Sequence, residues 1–306
     1  MTVRHSRSQR FFYAKIGRAN ALAGIYLNGG GEIRRPAIPI YFDCAFDNER
    51  AFLTSGCARE QGELFFECGR NPIGKFIVVI HAGEVWIVAP CGQVQFVKSM
   101  LGYKEESGFV KLLPVAVTRR ARTADVPQVL ASIGANRYYS SGTFREICGP
   151  GNVLAIKSVL GLPIETPDDP SVIHAVQCLS SVEFETLVAR LLEERGFFVP
   201  AYRGGMMPGA DLFAYNKSTD VLSAGELVVQ PGQRISIQVK LRESGLRQPF
   251  GVDVMICAEQ NVSPPTLGSD WLRAVLRDAP KTLSWLKSSL DWLPESFLRA
   301  TCKSTD

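Results

Sequence analysis

Three polar side chains in the second half of this 306-residue chain have the types and spacing of a reactive site. In the segment 235–240, apolar and polar residues alternate. This pattern predicts a β-strand whose Gln238 and Lys240 side chains share one face, about 7 Å apart along the strand. Asp211 opens the preceding apolar segment, directly after the glycine-rich stretch 203–209, which permits close approach of a substrate.

These residue types suit the hydrolysis of a phosphodiester. The Asp211 carboxylate, the Gln238 amide oxygen and the Val239 backbone carbonyl are hard oxygen ligands of the kind that Mg²⁺ or Mn²⁺ takes. Lys240 would orient a water molecule or neutralise the negative charge that develops on the phosphate. The alternative is that Ser236, Gln238 and Lys240 form only the solvated face of an ordinary strand, with Asp211 in a turn.

A helix is predicted before these strands. Ser180 or Ser181 can cap it, Glu183 and Glu185 lie in or near its first turn, where the helix dipole favours acids, and Gly196 ends it. Its apolar residues recur at helical spacing: Phe184, Leu187, Val188, Leu191 and Leu192. Strands are predicted over Phe197–Tyr202, Ala210–Tyr215, Leu227–Gln230, Arg234–Leu241 and Val252–Ala258, and helices after them.

Taken in order, these motifs resemble the PD-(D/E)xK nuclease superfamily, in particular its Mrr-type restriction-endonuclease branch, over about residues 180–260. The resemblance rests on Phe184-Glu185, Gly209-Ala210-Asp211-Leu212 and Gln238-Val239-Lys240. It implies a restriction-endonuclease-like αβββαβ core and Mg²⁺-dependent DNA cleavage, with Mn²⁺ as a substitute. It also implies catalytic roles for Glu185, Asp211, Gln238 and Lys240, with Glu185 facing the metal site.

The connection after the Lys240 strand is short for this topology. About ten residues, Arg242–Gly251, precede the next strand, whereas a helical crossover between parallel strands usually needs a dozen or more. Either the crossover is minimal or the strand order differs from that of the family.

Three arginines flank the predicted site in sequence and are candidates for contacts to DNA phosphates. They are Arg203, Arg242 and Arg247. Each of them could equally be an ordinary solvated surface arginine.

The first half of the chain is predicted to be a β-rich α+β domain, a small barrel or curled sheet, that recognises the substrate. We expect it to span residues 1–160, followed by a linker over 161–171 and the nuclease domain over 172–306. The linker holds three prolines and three acids between Gly161 and Pro170. Strands are expected at Ala37–Phe42, Leu64–Glu67, Phe76–His81, Val85–Ala89, Val94–Val97 and Val110–Val117, and helices near Val126–Ile133, Thr143–Ile147 and Asn152–Leu160.

The segment Arg4–Arg18 interleaves basic residues with Phe11, Phe12 and Tyr13. It could be a basic arm that contacts phosphates while its aromatic rings stack on bases. The alternatives are a solvated tail and a short helix docked by its aromatic residues.

Composition and charge indicate which partners and metal sites to expect. The net charge of +4 conceals an asymmetry, because residues 1–125 hold 17 basic against 11 acidic side chains. No apolar run approaches the ~20 residues of a membrane helix, so we expect no membrane partner. Eight scattered cysteines and three histidines indicate reduced thiols in a cytoplasmic protein and no zinc site.

Three hypotheses follow. The first is a two-domain DNA endonuclease of restriction or anti-phage defence, which would cut both strands of DNA as a homodimer because one centre hydrolyses one strand. The second is a non-catalytic nucleic-acid-binding protein on a nuclease-like fold. The third is a scaffold protein that binds no nucleic acid.

Overall fold

The computed structural model describes residues 9–29, 34–41, 45–54, 59–99, 108–201, 210–225, 227–241, 251–259 and 266–302. The chain is mixed α/β and divides into two compact units, Met1–Gly161 and Leu162–Asp306. The division falls at Gly161, the first residue of the proline-rich segment, whose left-handed backbone (φ 66°) ends a helix.

In the first unit, seven strands among the described residues form one curled sheet. Its order is β2-β6-β4-β3-β1-β7, and β5 also pairs with β6. The strands are β1 (Arg10–Ala14), β2 (Ala37–Ile40), β3 (Lys75–His81), β4 (Glu84–Pro90), β5 (Gln95–Ser99), β6 (Gly108–Arg122) and β7 (Phe144–Glu146). The helices are α1 (Ala23–Leu27), α2 (Glu49–Thr54), α3 (Arg59–Arg70), α4 (Gln128–Ala131), α5 (Arg137–Ser140) and α6 (Pro150–Leu160).

The tight turn between β3 and β4 follows from two residues. Ala82 and Gly83 both have positive φ, 50° and 76°, as a two-residue hairpin turn requires. The register Ile80↔Val85 and His81↔Glu84 brings the apolar runs of both strands side by side.

Two of the predicted elements in this unit are wrong. Leu64–Glu67 is not a strand but part of α3, because the buried residues Gly62, Phe65, Phe66 and Gly69 recur at helical spacing. The predicted helix near Thr143–Ile147 is instead the strand β7, which pairs antiparallel with β1.

All three interpretations of Arg4–Arg18, the basic arm, the solvated tail and the docked helix, are wrong for its described part. Residues 10–14 form β1, an inner strand of the sheet, and Phe11, Phe12 and Tyr13 are all buried. These rings belong to the core and do not face solvent, where bases would stack. Residues 1–8 lie outside the described part of the chain.

Arg10 ties β1 to two neighbouring elements. Its guanidinium donates to Glu146 of β7 at 2.7 and 2.8 Å and to Glu67 of α3 at 2.6 Å. Lys75 also donates to Glu67 at 2.8 Å, and the hydrogen bonds from Lys75 and Arg10 hold the pKa of Glu67 below its ordinary value. The four charges satisfy one another and join α3, β1, β3 and β7.

The second unit contains a four-stranded sheet, within the described residues, of order β13-β12-β11-β8, and a separate hairpin, β9–β10. The strands are β8 (Leu212–Tyr215), β9 (Leu222–Ala224), β10 (Leu227–Val229), β11 (Arg234–Lys240), β12 (Val254–Cys257) and β13 (Thr266–Leu267). The helices are α7 (Val172–Val176), α8 (Ser181–Glu194), α9 (Ser269–Arg277), α10 (Pro280–Ser289) and α11 (Glu295–Thr301).

The connection between β11 and β12, residues 242–250, lies outside the described residues, but the two strands that it joins are described. β11 and β12 are parallel neighbours with the register Gln238↔Met255 and Lys240↔Cys257, so the strand order is not interrupted. On its other edge, β11 pairs antiparallel with β8, and α8 packs against both strands. None of the helices within the described residues combines the length and the apolar character that a membrane crossing requires.

The N-terminus of α10 is capped by a carboxylate from α8. Glu194 accepts hydrogen bonds from the backbone of Lys281 (3.0 Å) and from the backbone and hydroxyl of Thr282 (2.9 and 2.7 Å). Burial raises the pKa of Glu194, but the hydrogen bonds from Thr282 and Lys281 lower it by more, so the net pKa lies below its ordinary value.

We expect Glu194→Gln to lower the free energy of unfolding by about 1 kcal/mol at neutral pH, the size of a lost helix cap at a solvated site. Because the folded-state pKa is depressed, the ionised carboxylate stabilises the fold above the unfolded pKa. That contribution is lost as pH falls through the folded pKa. Denaturant unfolding at neutral and acidic pH measures both effects, and a deficit that is equal at the two pH values would contradict the capping role.

Separating the units should give two folded pieces. The fragment 171–306 begins at Ser171, whose side chain caps α7 together with His174, so its first helix is complete. We expect circular dichroism and cooperative unfolding typical of a folded domain for fragments 1–161 and 171–306. A control fragment, 1–140, lacks β7 and should not unfold cooperatively; an unfolded 171–306 fragment would contradict the boundary.

Candidate active site

The strand β11 has two different faces, as its alternating sequence predicts. Its buried residues alternate with half-buried polar ones: Ile235, Ile237 and Val239 against Ser236, Gln238 and Lys240. The apolar set packs into the core of the unit. The polar set forms a face that remains partly open to solvent.

Asp211 is fixed to β11 twice. Its backbone N–H donates to the carbonyl of Ile237 at 2.8 Å, and its carboxylate oxygen Oδ2 accepts from the backbone N–H of Val239 at 2.8 Å. The carboxylate thus continues the ladder where β8 ends, which leaves the side chain little freedom to move away from β11.

Lys240 completes the contact between the predicted site residues. Its Nζ lies 3.0 Å from the same oxygen, Asp211 Oδ2, and the two side chains are 30% and 25% exposed. The structure therefore brings Asp211 and Lys240 together on one face, and that face also carries Gln238.

The Gln238 amide carries an unsatisfied acceptor. Its Oε1 is buried and has no hydrogen-bond partner among the described residues. A buried carbonyl oxygen without a partner costs about 1–3 kcal/mol, so such an atom calls for a ligand that it can meet.

The Val239 carbonyl points toward the same edge of β11 as Asp211. The carbonyls of Ser236 and Lys240 accept hydrogen bonds from the β12 side, and that of Ile237 accepts from Asp211 on the β8 side. Successive residues of a strand direct their carbonyls to opposite edges of the strand. Val239 is two residues after Ile237, so its carbonyl points to the same edge as that of Ile237.

Glu185 is half-buried on α8, the helix that packs against β8 and β11. The capping box at the start of α8 separates its role from that of Glu183. Ser180 is the N-cap, and the Glu183 carboxylate accepts from the Ser180 N–H at 2.7 Å. Capping of α8 therefore occupies Glu183 and not Glu185.

The other predicted contacts fall on parts of the chain that are not described. Arg203, Arg242 and Arg247 lie outside the described residues, as does the whole glycine-rich stretch 203–209 before Asp211.

The residues of the site fit a hard divalent cation. Asp211 Oδ1 receives no hydrogen bond from the described residues, Gln238 Oε1 is buried without a partner, and both are oxygen donors of the type that Mg²⁺ takes. No group of three or more His, Cys, Asp or Glu side chains that could hold a metal ion occurs in the described part of the chain. A cation at this site would be held by one carboxylate and neutral oxygens.

Asp253 is a supporting residue that the sequence did not single out. Its Oδ2 accepts from the backbone N–H and the hydroxyl of Ser236, both at 2.7 Å, and so it anchors the start of β12 to β11. An acid directly before an apolar strand was the only sequence signal for it.

Comparisons of the chain with protein-family models, with curated proteins and with solved structures gave no match. The interpretation of the site consequently depends on its geometry and chemistry.

Proposed function

We propose that the chain is a metal-dependent DNA endonuclease whose active site lies on the polar face of β11. One observation carries the proposal. A carboxylate and an ammonium group are in contact, with Lys240 Nζ 3.0 Å from Asp211 Oδ2, and the same face of β11 carries an amide oxygen that is buried without a partner among the described residues.

Asp211, the Gln238 side chain and the Val239 carbonyl would hold Mg²⁺, or Mn²⁺ in its place. The chemistry that the cation supplies when bound is polarisation of the phosphodiester and activation of water. The chain itself contributes orientation, because Asp211 is anchored to β11 through both its backbone and its carboxylate.

Lys240 is the proposed residue that stabilises negative charge on the phosphate. The Lys240 ammonium lies beside the Asp211 carboxylate. Its positive charge would stabilise the negative charge that develops on the phosphate oxygens during cleavage. Glu185, on the helix that packs against β8 and β11, is proposed as a further acid that faces the site.

The pairing of β11, antiparallel to β8 and parallel to β12, and the packing of α8 against β8 and β11 support a restriction-endonuclease-like core of the Mrr type. The predicted strand Phe197–Tyr202 is wrong over its described residues, which form only an isolated bridge between Phe198 and Tyr215. On this proposal Arg203, Arg242 and Arg247 contact the DNA backbone, and the first unit selects the DNA. Restriction or anti-phage defence is the proposed context, with double-strand cutting by a homodimer in the cytoplasm.

The test is incubation of the purified protein with supercoiled plasmid DNA, modified and unmodified, in Mg²⁺, in Mn²⁺ and in EDTA. We expect nicked or linear product with either cation and none in EDTA. Cleavage that persists in EDTA would contradict metal dependence. A gel shift without cleavage under all conditions would favour the non-catalytic nucleic-acid-binding hypothesis.

A further inference from the structure

The Asp211 carboxylate is shared between two donors from adjacent residues of β11. Oδ2 accepts from the Val239 N–H at 2.8 Å and from Lys240 Nζ at 3.0 Å. A carboxylate oxygen has about two lone-pair sites, so these two contacts use the acceptor capacity of Oδ2. A cation that approaches Asp211 finds only Oδ1 uncommitted to the described residues.

The charges of Asp211 and Lys240 cancel. Lys240 neutralises Asp211 at 3.0 Å, and the other candidate ligands, Gln238 Oε1 and the Val239 carbonyl, are uncharged. A hard dication is bound mainly through ligand charge, and here it meets a neutral set with an ammonium beside it.

Of the two donors on Oδ2, only Lys240 can leave. The Val239 N–H is part of the strand, whereas the ammonium stands on a flexible four-carbon stem and its side chain is 30% exposed. Such an ammonium can leave the carboxylate and donate its hydrogen bonds to a phosphate instead.

We infer that Lys240 competes with the divalent cation for Asp211, so that the free protein binds the cation weakly and the phosphate of the substrate relieves the competition. This inference rests on the proposed function and assigns Lys240 a second role, control of metal affinity, beside its role in cleavage. Because linkage is reciprocal, the cation also tightens the binding of DNA by the same factor.

The test is calorimetric titration with Mn²⁺ alone, in the absence of DNA, of the full chain and of Lys240 variants. We expect Lys240→Met to bind Mn²⁺ about tenfold more tightly than wild type, because the competing charge is gone. Lys240→Arg retains the charge and should bind Mn²⁺ as weakly as wild type. Lys217→Met, which removes an exposed lysine elsewhere in the same unit, is the matched control and should leave Mn²⁺ binding unchanged.

A second titration in the presence of a phosphorothioate duplex measures the coupling. We expect the duplex to tighten Mn²⁺ binding by the wild type more than by Lys240→Met, in which the competition is already removed. Unchanged or weaker Mn²⁺ binding by Lys240→Met overturns the inference, and the proposed function stands if the wild type still cleaves DNA with Mg²⁺. If no variant binds Mn²⁺ with or without the duplex and the wild type does not cleave, both fail.

Discussion

The Lys240→Ala protein is expected to fold and to bind DNA but to cleave it about 100- to 1,000-fold more slowly than wild type. The loss is large because Lys240 supplies the positive charge of the proposed site, where the phosphate would bind. Its Nζ lies 3.0 Å from Asp211 Oδ2. Folding should survive because the side chain is 30% exposed and lies on the polar face of β11. An ion pair at such a site contributes at most about 1 kcal/mol.

The measurement is the rate of plasmid nicking in Mg²⁺, together with thermal unfolding and a gel shift for each variant. Lys217→Ala serves as the control, since Lys217 is an exposed lysine of the same unit whose Nζ lies over the ring of Phe198. It should cleave at the wild-type rate. Wild-type nicking by the Lys240→Ala protein would remove Lys240 from the active site.

Asp211→Asn should weaken Mg²⁺ binding by about tenfold or more, whereas Gln238→Glu should bind Mg²⁺ at least as tightly as wild type. Asp211 is the strand-borne carboxylate of the proposed site, so the change to Asn removes the main negative charge that attracts the cation. The Asn side-chain oxygen can still accept from the Val239 N–H, which keeps the local structure intact. Gln238→Glu adds a carboxylate at the position of a buried, unpartnered oxygen.

Calorimetry of both variants with Mg²⁺ and Mn²⁺, beside the cleavage assay, distinguishes affinity from activity. Ser236→Ala is a suitable control, because Ser236 shares the polar face of β11 but is bound to Asp253. If Asp211→Asn and Gln238→Glu both bind the cations like wild type, these residues do not form the site. The non-catalytic hypothesis then becomes the better one.

The arrangement on β11 could be predicted because it depends on local rules. A strand alternates its faces, so the sequence 235–240 is enough to place Gln238 and Lys240 together. The contact between Lys240 and Asp211 needed only the neighbouring strand β8. The Gln238 acceptor, by contrast, is buried only in the folded unit, and no local pattern of the sequence indicates that.

Two of the errors in the first unit share a cause. The segments Leu64–Glu67 and 10–14 are both short and apolar, and periodicity does not distinguish a strand from a helix at that length. The structure of both segments depends on contacts with distant parts of the chain, since β1 lies between β3 and β7 and α3 packs near β7. The positive charges around Phe11, Phe12 and Tyr13 were equally misleading, because Arg10 serves to bind Glu146 and Glu67.

The position of β1 inside its sheet has a consequence for how the chain folds during synthesis. Residues 10–14 pair with β3, more than sixty residues later, and with β7, whose last residue is Glu146. Contacts of such high sequence separation form slowly, since the loop-closure entropy is lost before they are made. The sheet of the first unit is therefore complete only when almost all of that unit has left the ribosome, and until β3 and β7 pair with it the aromatic residues of β1 are open to aggregation.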